Sequence, residues 1–127
     1  MNNYEILKST TGLYVEDEEI VREILGMFLR RRFKDLYEAE NGLDGLELFK
    51  KYNPDIVITD IEMPIMNGLE MIKQIKELDE SKPIIIITAF KDEAHNSNLA
   101  DEIIHKPINN RDLIEKIHNL ILKYQKR

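Results

Sequence analysis

The sequence predicts an α/β domain in which one parallel β-sheet carries helices on both faces. Two short runs, Ile56-Val57-Ile58 and Ile84-Ile85-Ile86-Ile87, are continuously apolar and β-branched, as strands buried on both faces require. Longer amphipathic stretches alternate with such runs, and that alternation implies right-handed crossovers between parallel strands. In an open sheet of this kind, ligands bind beyond the carboxyl ends of the strands.

The first strand is expected at Leu13 to Val15. Behind it, Val21, Ile24, Leu25, Phe28 and Leu29 recur at helical spacing after an acidic first turn of Glu18 and Glu19, which suits the helix dipole. Leu36 to Ala39 is a weaker second strand. A second helix carries Leu43, Leu46 and Phe49 and is entered through Asn41-Gly42. The third strand spans Asp55 to Thr59, and a third helix with Met71, Ile72, Ile75 and Leu78 follows Asn67-Gly68. Pro83 to Thr88 and Ile103-Ile104 supply the last two strands. Leu113, Ile114, Ile117, Leu120 and Ile121 mark a final helix, capped by Asn109 or Asn110 and closed by the basic Lys123, Lys126 and Arg127.

A chain of 127 residues suits one domain, and 43% hydrophobic residues suffice for its core. With 33% charged residues and only short apolar runs, no membrane span is expected, and no secretory signal is apparent. The lack of cysteine excludes disulfides, thiolate metal sites and a cysteine nucleophile, and it permits a cytoplasmic location. A net charge of −6 argues against direct nucleic-acid binding. The basic run Arg30-Arg31-Arg32 reads as the solvated end of a helix.

Four strands end in polar residues that converge on one edge of the sheet: Glu16-Asp17, Asp60, Thr88 and, after the fifth strand, Lys106-Pro107. Three carboxylates gathered there repel one another, and a divalent cation relieves the repulsion. Oxygen-only ligands select a hard ion such as Mg²⁺. A carboxylate beside such an ion can attack phosphorus to give an acyl phosphate. Lys106 offers charge and Thr88 a hydroxyl to the phosphoryl oxygens.

The segments Leu13-Tyr14-Val15-Glu16-Asp17-Glu18, Ile58-Thr59-Asp60-Ile61-Glu62-Met63-Pro64, Ile86-Ile87-Thr88-Ala89 and Lys106-Pro107 resemble the receiver (response regulator) family of two-component signalling, over roughly residues 11 to 124. The resemblance implies a doubly wound five-stranded sheet in the order 2-1-3-4-5, an order also given in general accounts of this fold class. It implies residues 1–10 as a lead or linker and 11–127 as the receiver domain. It makes Asp60 the phosphoacceptor, with Mg²⁺ held by Asp17 directly, by Glu16 usually through water, by Asp60 itself and by the backbone carbonyl of Glu62. Thr88 becomes the switch hydroxyl, Lys106 the partner of the phosphoryl group, and Pro107 the residue after a cis peptide bond. The implied partners are a sensor histidine kinase or phosphotransfer protein and a downstream output domain or protein, and pairing of two copies into a homodimer is compatible with it. The domain is then a self-phosphorylating and self-dephosphorylating switch rather than an enzyme.

Three features depart from the family pattern. Ile103 stands where many relatives carry Tyr or Phe, so no ring is present to swing inward with Thr88. Thr88 and Lys106 are only 18 residues apart, and the Asn-rich stretch from Lys91 to Asp101 predicts a shortened or irregular fourth helix. Glu62 and Phe90 flank the site, the one able to repel phosphodonors and the other to shield an acyl phosphate, which predicts slow reaction with small donors. His95, His105 and His118 read as surface or helix-face residues, and Met63, Met66 and Met71 as packing. Two other functions stay open: a pseudo-receiver that binds partners without phosphorylation, and an aspartyl-phosphate phosphohydrolase with Glu62 as its acid. The second is disfavoured by the lack of a cap domain and by Met63-Pro64.

Overall fold

A computed structural model describes residues 4–91 and 98–125. Five strands, β1 (Thr11–Val15), β2 (Asp35–Ala39), β3 (Ile56–Thr59), β4 (Ile84–Thr88) and β5 (Glu102–His105), form one sheet in the order β2-β1-β3-β4-β5. Every pairing is parallel, as the continuous apolar runs require. The helices are α1 (Glu19–Arg30), α2 (Gly42–Tyr52), α3 (Gly68–Leu78) and α4 (Asn110–Gln125). The chain is therefore the five-stranded doubly wound sheet expected.

Alternate residues of each strand feed two separate cores. Ile56 and Ile58 of β3 pack with Leu25 and Leu29 of α1 and with Leu113 and Ile117 of α4. Val57, between them, packs with Phe49 of α2 and with Met71 and Ile75 of α3. Their two-residue period sends neighbouring side chains to opposite faces.

Caps fix where the helices begin. Asn41 accepts from the Asp44 N–H at 2.8 Å, Asn67 from Glu70 N–H at 2.9 Å, and Asn109 from Asp112 N–H at 3.1 Å. Asn53, in the left-handed region at φ 46°, ends α2.

The lead holds a 3-10 turn, Glu5–Ser9, with Leu7 fully buried and Tyr4 and Ile6 against the α1–α4 core. Helix α1 departs from expectation at Ile24, placed by its spacing on the apolar face but 68% exposed, beside Ile20 at 75%. Leu25 and Leu29 fill the available contact on the sheet. The shortened helix expected between Lys91 and Asp101 falls largely on residues 92–97, as does His95, and both lie outside the described residues; Asn98 to Ala100 form a turn and bend.

Candidate functional site

Strands β1 and β3 are neighbours in register, Val15 opposite Thr59, so the next residues, Glu16 and Asp60, leave the sheet side by side. The ladder continues one residue further, through Glu16 N–H to Ala39 O (3.0 Å) and Asp60 N–H to Val15 O (3.1 Å). Both carboxylates are thereby held by backbone at the switch point between β1 and β3, where an α/β sheet opens a crevice.

Glu16 is only 2% exposed. One of its carboxylate oxygens accepts from Glu18 N–H at 3.2 Å, and the other lies 3.4 Å from Lys106 Nζ. Burial pushes its carboxyl up to about 7 and the Asp60 charge adds to this, while the Glu18 N–H and Lys106 oppose it. Asp60 is fixed at both oxygens: Oδ1 accepts from Ile61 N–H at 2.6 Å, and Oδ2 from Lys106 Nζ at 2.8 Å. Partial burial would depress the lysine, but the bond to Asp60, with Glu16 behind it, prevails and holds Lys106 above the usual lysine range.

Lys106 follows β5, which ends beside β4, with the Lys106 N–H bonded to Thr88 O at 2.8 Å; the Lys106–Pro107 peptide is cis. Thr88 is fully buried, and its Oγ1 accepts from Phe90 N–H at 3.1 Å. Phe90 itself is 39% exposed. Asp17 is half-buried and Glu62 exposed, on the loop that follows Asp60. Ile103 is half-buried against the α2–α3 core together with Ala100.

The loop from Asp60 to Gly68 is clamped from two sides. Gly68 N–H donates to Ile61 O and Gly42 N–H to Met66 O, each at 2.8 Å. Both glycines are needed for close approach, since a Cβ on Gly68 would sit 2.1 Å from Asp60 O and one on Gly42 2.4 Å from Met66 O. Between the clamps, Met66 N–H bonds Pro64 O across a γ-turn whose central residue, Ile65, has φ 71°. A β-branched residue in that region is strained, and here it is also 77% exposed.

The candidate metal ligands are oxygen donors, which suits Mg²⁺. Among the described residues no three acidic or histidine side chains are gathered closely enough to hold an ion, and the Lys106 ammonium bridges Glu16 and Asp60. The donors that face Lys106 are carboxylate oxygens, the kind of ligand a hard divalent ion takes. The structure thus brings Glu16, Asp60 and Lys106 into direct contact and places Thr88 at the adjoining strand end. Sequence reasoning missed Arg22, whose guanidinium donates to Glu16 O at 2.7 Å. Its position one turn into α1 was the available signal.

The profile of the family described as response regulator receiver domain matches residues 13–118. Among relatives, the chemotaxis protein CheY of Halobacterium salinarum is 35% identical over 113 residues, covering 86% of this chain and 94% of that protein. The transcriptional regulatory protein SrrA of Staphylococcus aureus is 30% identical, covering 89% of this chain but 48% of its own length. For a cyclic di-GMP phosphodiesterase of Thermotoga maritima, 35% identical over 78% of this chain, the covered share is 27%. An N-terminal domain from Wolinella succinogenes superposes with a TM-score of 0.85 at 31% identity, covering 94% of this chain and all of that one. No helix among the described residues is long and apolar enough to cross a membrane. The fold, the convergence of polar strand ends and these matches agree: the chain belongs to the response regulator receiver domain family.

Proposed function

We propose that Asp60 accepts a phosphoryl group from a histidine kinase or phosphotransfer protein, with Mg²⁺ held by Glu16, Asp17, Asp60 and the Glu62 carbonyl, and that its phosphorylation switches the binding of an output domain or protein. The observation that carries this reading is the Asp60 carboxylate, fixed by Ile61 N–H on one oxygen and by the Lys106 ammonium on the other, beside a buried Glu16. In the transfer, an Asp60 oxygen forms a bond to phosphorus as the bond from phosphorus to the donor nitrogen breaks, and the imidazole leaves neutral. Bound Mg²⁺ supplies charge to the phosphoryl oxygens.

The chain's own groups do the rest. Ile61 N–H orients the nucleophile, and Lys106, already within 2.8 Å, follows the charge onto the new phosphoryl oxygen. The Thr88 hydroxyl accepts from Phe90 N–H, which leaves its own proton for the phosphoryl group. Movement of Thr88 would be felt by Phe90 through that bond, while Ile103 has no ring to relocate. The acidic Glu62, on the loop two residues after Asp60, slows reaction with small anionic donors, so Glu62→Asn is expected to react faster with acetyl phosphate.

The test is intact-mass measurement after incubation with phosphoramidate or acetyl phosphate and Mg²⁺. A single phosphoryl adduct, lost in Asp60→Asn and without Mg²⁺, is the expected result. If neither these donors nor a panel of histidine kinases labels Asp60, the domain binds its partners without phosphorylation and the proposal fails.

A further inference from the structure

The arginine run at the end of α1 divides into unlike parts. Arg30 is neutralised, with one guanidinium bonded to both Glu38 and Glu23. Arg32 turns the other way: its guanidinium stacks over the Phe28 ring, 3.7 Å from the centroid, and donates to Phe28 O at 2.9 Å. That double hold fixes the group while engaging only part of its fork of five N–H donors. Across a cleft stands Arg111 in the first turn of α4, exposed and, like Arg32, without a carboxylate in ion-pair range among the described residues.

The cleft they share has a volume of about 490 Å³ and is otherwise walled by Tyr4, Phe28 and Ile114. Its size falls in the ordinary range for ligand sites, and its make-up is theirs too: apolar walls with a few fixed polar groups. Tyr4, which stands edge-on to His118 at 5.0 Å, lines the cleft, and its hydroxyl is buried with no hydrogen-bond partner among the described residues. An orphaned buried hydroxyl costs stability unless something satisfies it. Two guanidinium groups lining a common space, neither with a carboxylate in ion-pair range among the described residues, repel each other as well.

We propose that this cleft between α1 and α4 binds an acidic segment of a partner protein that carries an aromatic or branched apolar residue beside its carboxylates. The guanidinium pair takes the carboxylates, and Phe28, Ile114 and Tyr4 take the apolar side chain. The charge balance selects this class of ligand. The chain carries −6 overall, and the exposed Asp112 and Glu115 follow Arg111 in the first turns of α4, so an extended polyanion such as nucleic acid or an anionic membrane meets more repulsion than attraction. A short local anion with an apolar neighbour meets only the two arginines. The cleft shares no residue with the Asp60 site, and the proposal stands independently of phosphorylation.

Amide-resolved NMR titration of the full chain tests it, with a synthetic peptide of alternating Asp-Phe and Glu-Leu pairs as probe. Shifts centred on Tyr4, Phe28, Arg32, Arg111 and Ile114, weakened by salt, are expected. Affinity falls by about tenfold or more in Arg111→Gln, an exposed residue whose loss leaves the fold intact, and further in Arg32→Gln/Arg111→Gln. The proposal is overturned if the peptide shifts no residue at millimolar concentration, if the shifts centre elsewhere, or if Arg111→Gln leaves them unchanged. It is equally overturned if poly-glutamate, a DNA oligonucleotide or phosphatidylglycerol vesicles bind the cleft as tightly as the peptide. Labelling of Asp60 in Arg111→Gln is expected to equal that of the wild type, which separates this outcome from any failure of the phosphoacceptor reading.

Discussion

Replacing Gly68 with alanine strikes the site through its backbone. The added Cβ would lie 2.1 Å from Asp60 O, 3.0 Å from Ile61 Cα and 3.1 Å from Asp60 C, all of them main-chain atoms. The first distance is more than an ångström short of ordinary contact, and none of the three atoms can rotate away. Either the start of α3 lifts, losing the 2.8 Å bond from Gly68 N–H to Ile61 O, or Asp60 is driven toward β1 and away from Lys106. Overpacking of this kind costs about 1–3 kcal/mol, and the lost hydrogen bond adds about 1 kcal/mol. For a domain of this size the sum lowers Tm by roughly 10 °C. Gly26→Ala is the control. Its new Cβ also meets atoms closely, 2.4 Å from Glu38 Oε1 and 3.0 Å from Arg30 Nη1, but both are ends of flexible side chains that reach solvent in part. Helix propensity returns about 1 kcal/mol there, so the net change stays within about 1 kcal/mol. Thermal melts followed by circular dichroism and the rate of Asp60 labelling are read for both variants. A Gly68→Ala protein that melts within about 2 °C of the wild type and labels at the same rate would refute the reasoning.

Removing the ammonium in Lys106→Met leaves Glu16 and Asp60 facing one another, so the metal-free protein should lose stability and gain more Tm from added Mg²⁺ than the wild type does; an equal gain would count against the charge argument. Ile65→Asn should stabilise by about 1 kcal/mol in urea melts, because asparagine tolerates the left-handed region and little packing is lost at an exposed site. The Asp79 carboxyl is held below its usual range first by the Ser81 hydroxyl at 2.7 Å, with the Ser81 N–H also donating, so its contribution is present above the unfolded value near 4 and is lost as pH falls through the folded one. The stability gap between wild type and Asp79→Ala should therefore narrow below about pH 4, and a gap constant from pH 7 to pH 3 would show that the charge contributes nothing.

Much of this molecule was legible before any coordinates. The β-branched runs at Ile56 to Ile58 and Ile84 to Ile87 announced buried parallel strands because no other surface accepts apolar residues without alternation. Asn41 and Asn67 marked helix starts because their side chains replace missing backbone acceptors. Glu16, Asp60 and Lys106 were readable as a group because each follows a strand, and parallel strands deliver their ends to one edge. What the sequence withheld was three-dimensional balance. Ile24 has the right spacing for the core, yet the sheet offers contact to only part of α1, and Leu25 and Leu29 take it. The γ-turn at Ile65 has no signal, since isoleucine is a residue that such a turn disfavours. Arg32 could not be told from Arg30 without knowing that one faces Phe28 and the other Glu38.

The alternation along β3, with Ile56 and Ile58 on one side and Val57 on the other, divides the interior into two compartments that share a wall and no contents. Damage in one should be nearly silent in the other: Ile58→Val and Val57→Ala belong to different packing problems, and their costs should add as those of distant sites do. The two compartments meet where the strands stop, at Glu16, Asp60, Thr88 and Lys106. A chemical event at that rim lies at the junction of both, so α1 with α4 and α2 with α3 form two separately adjustable listeners to a single event.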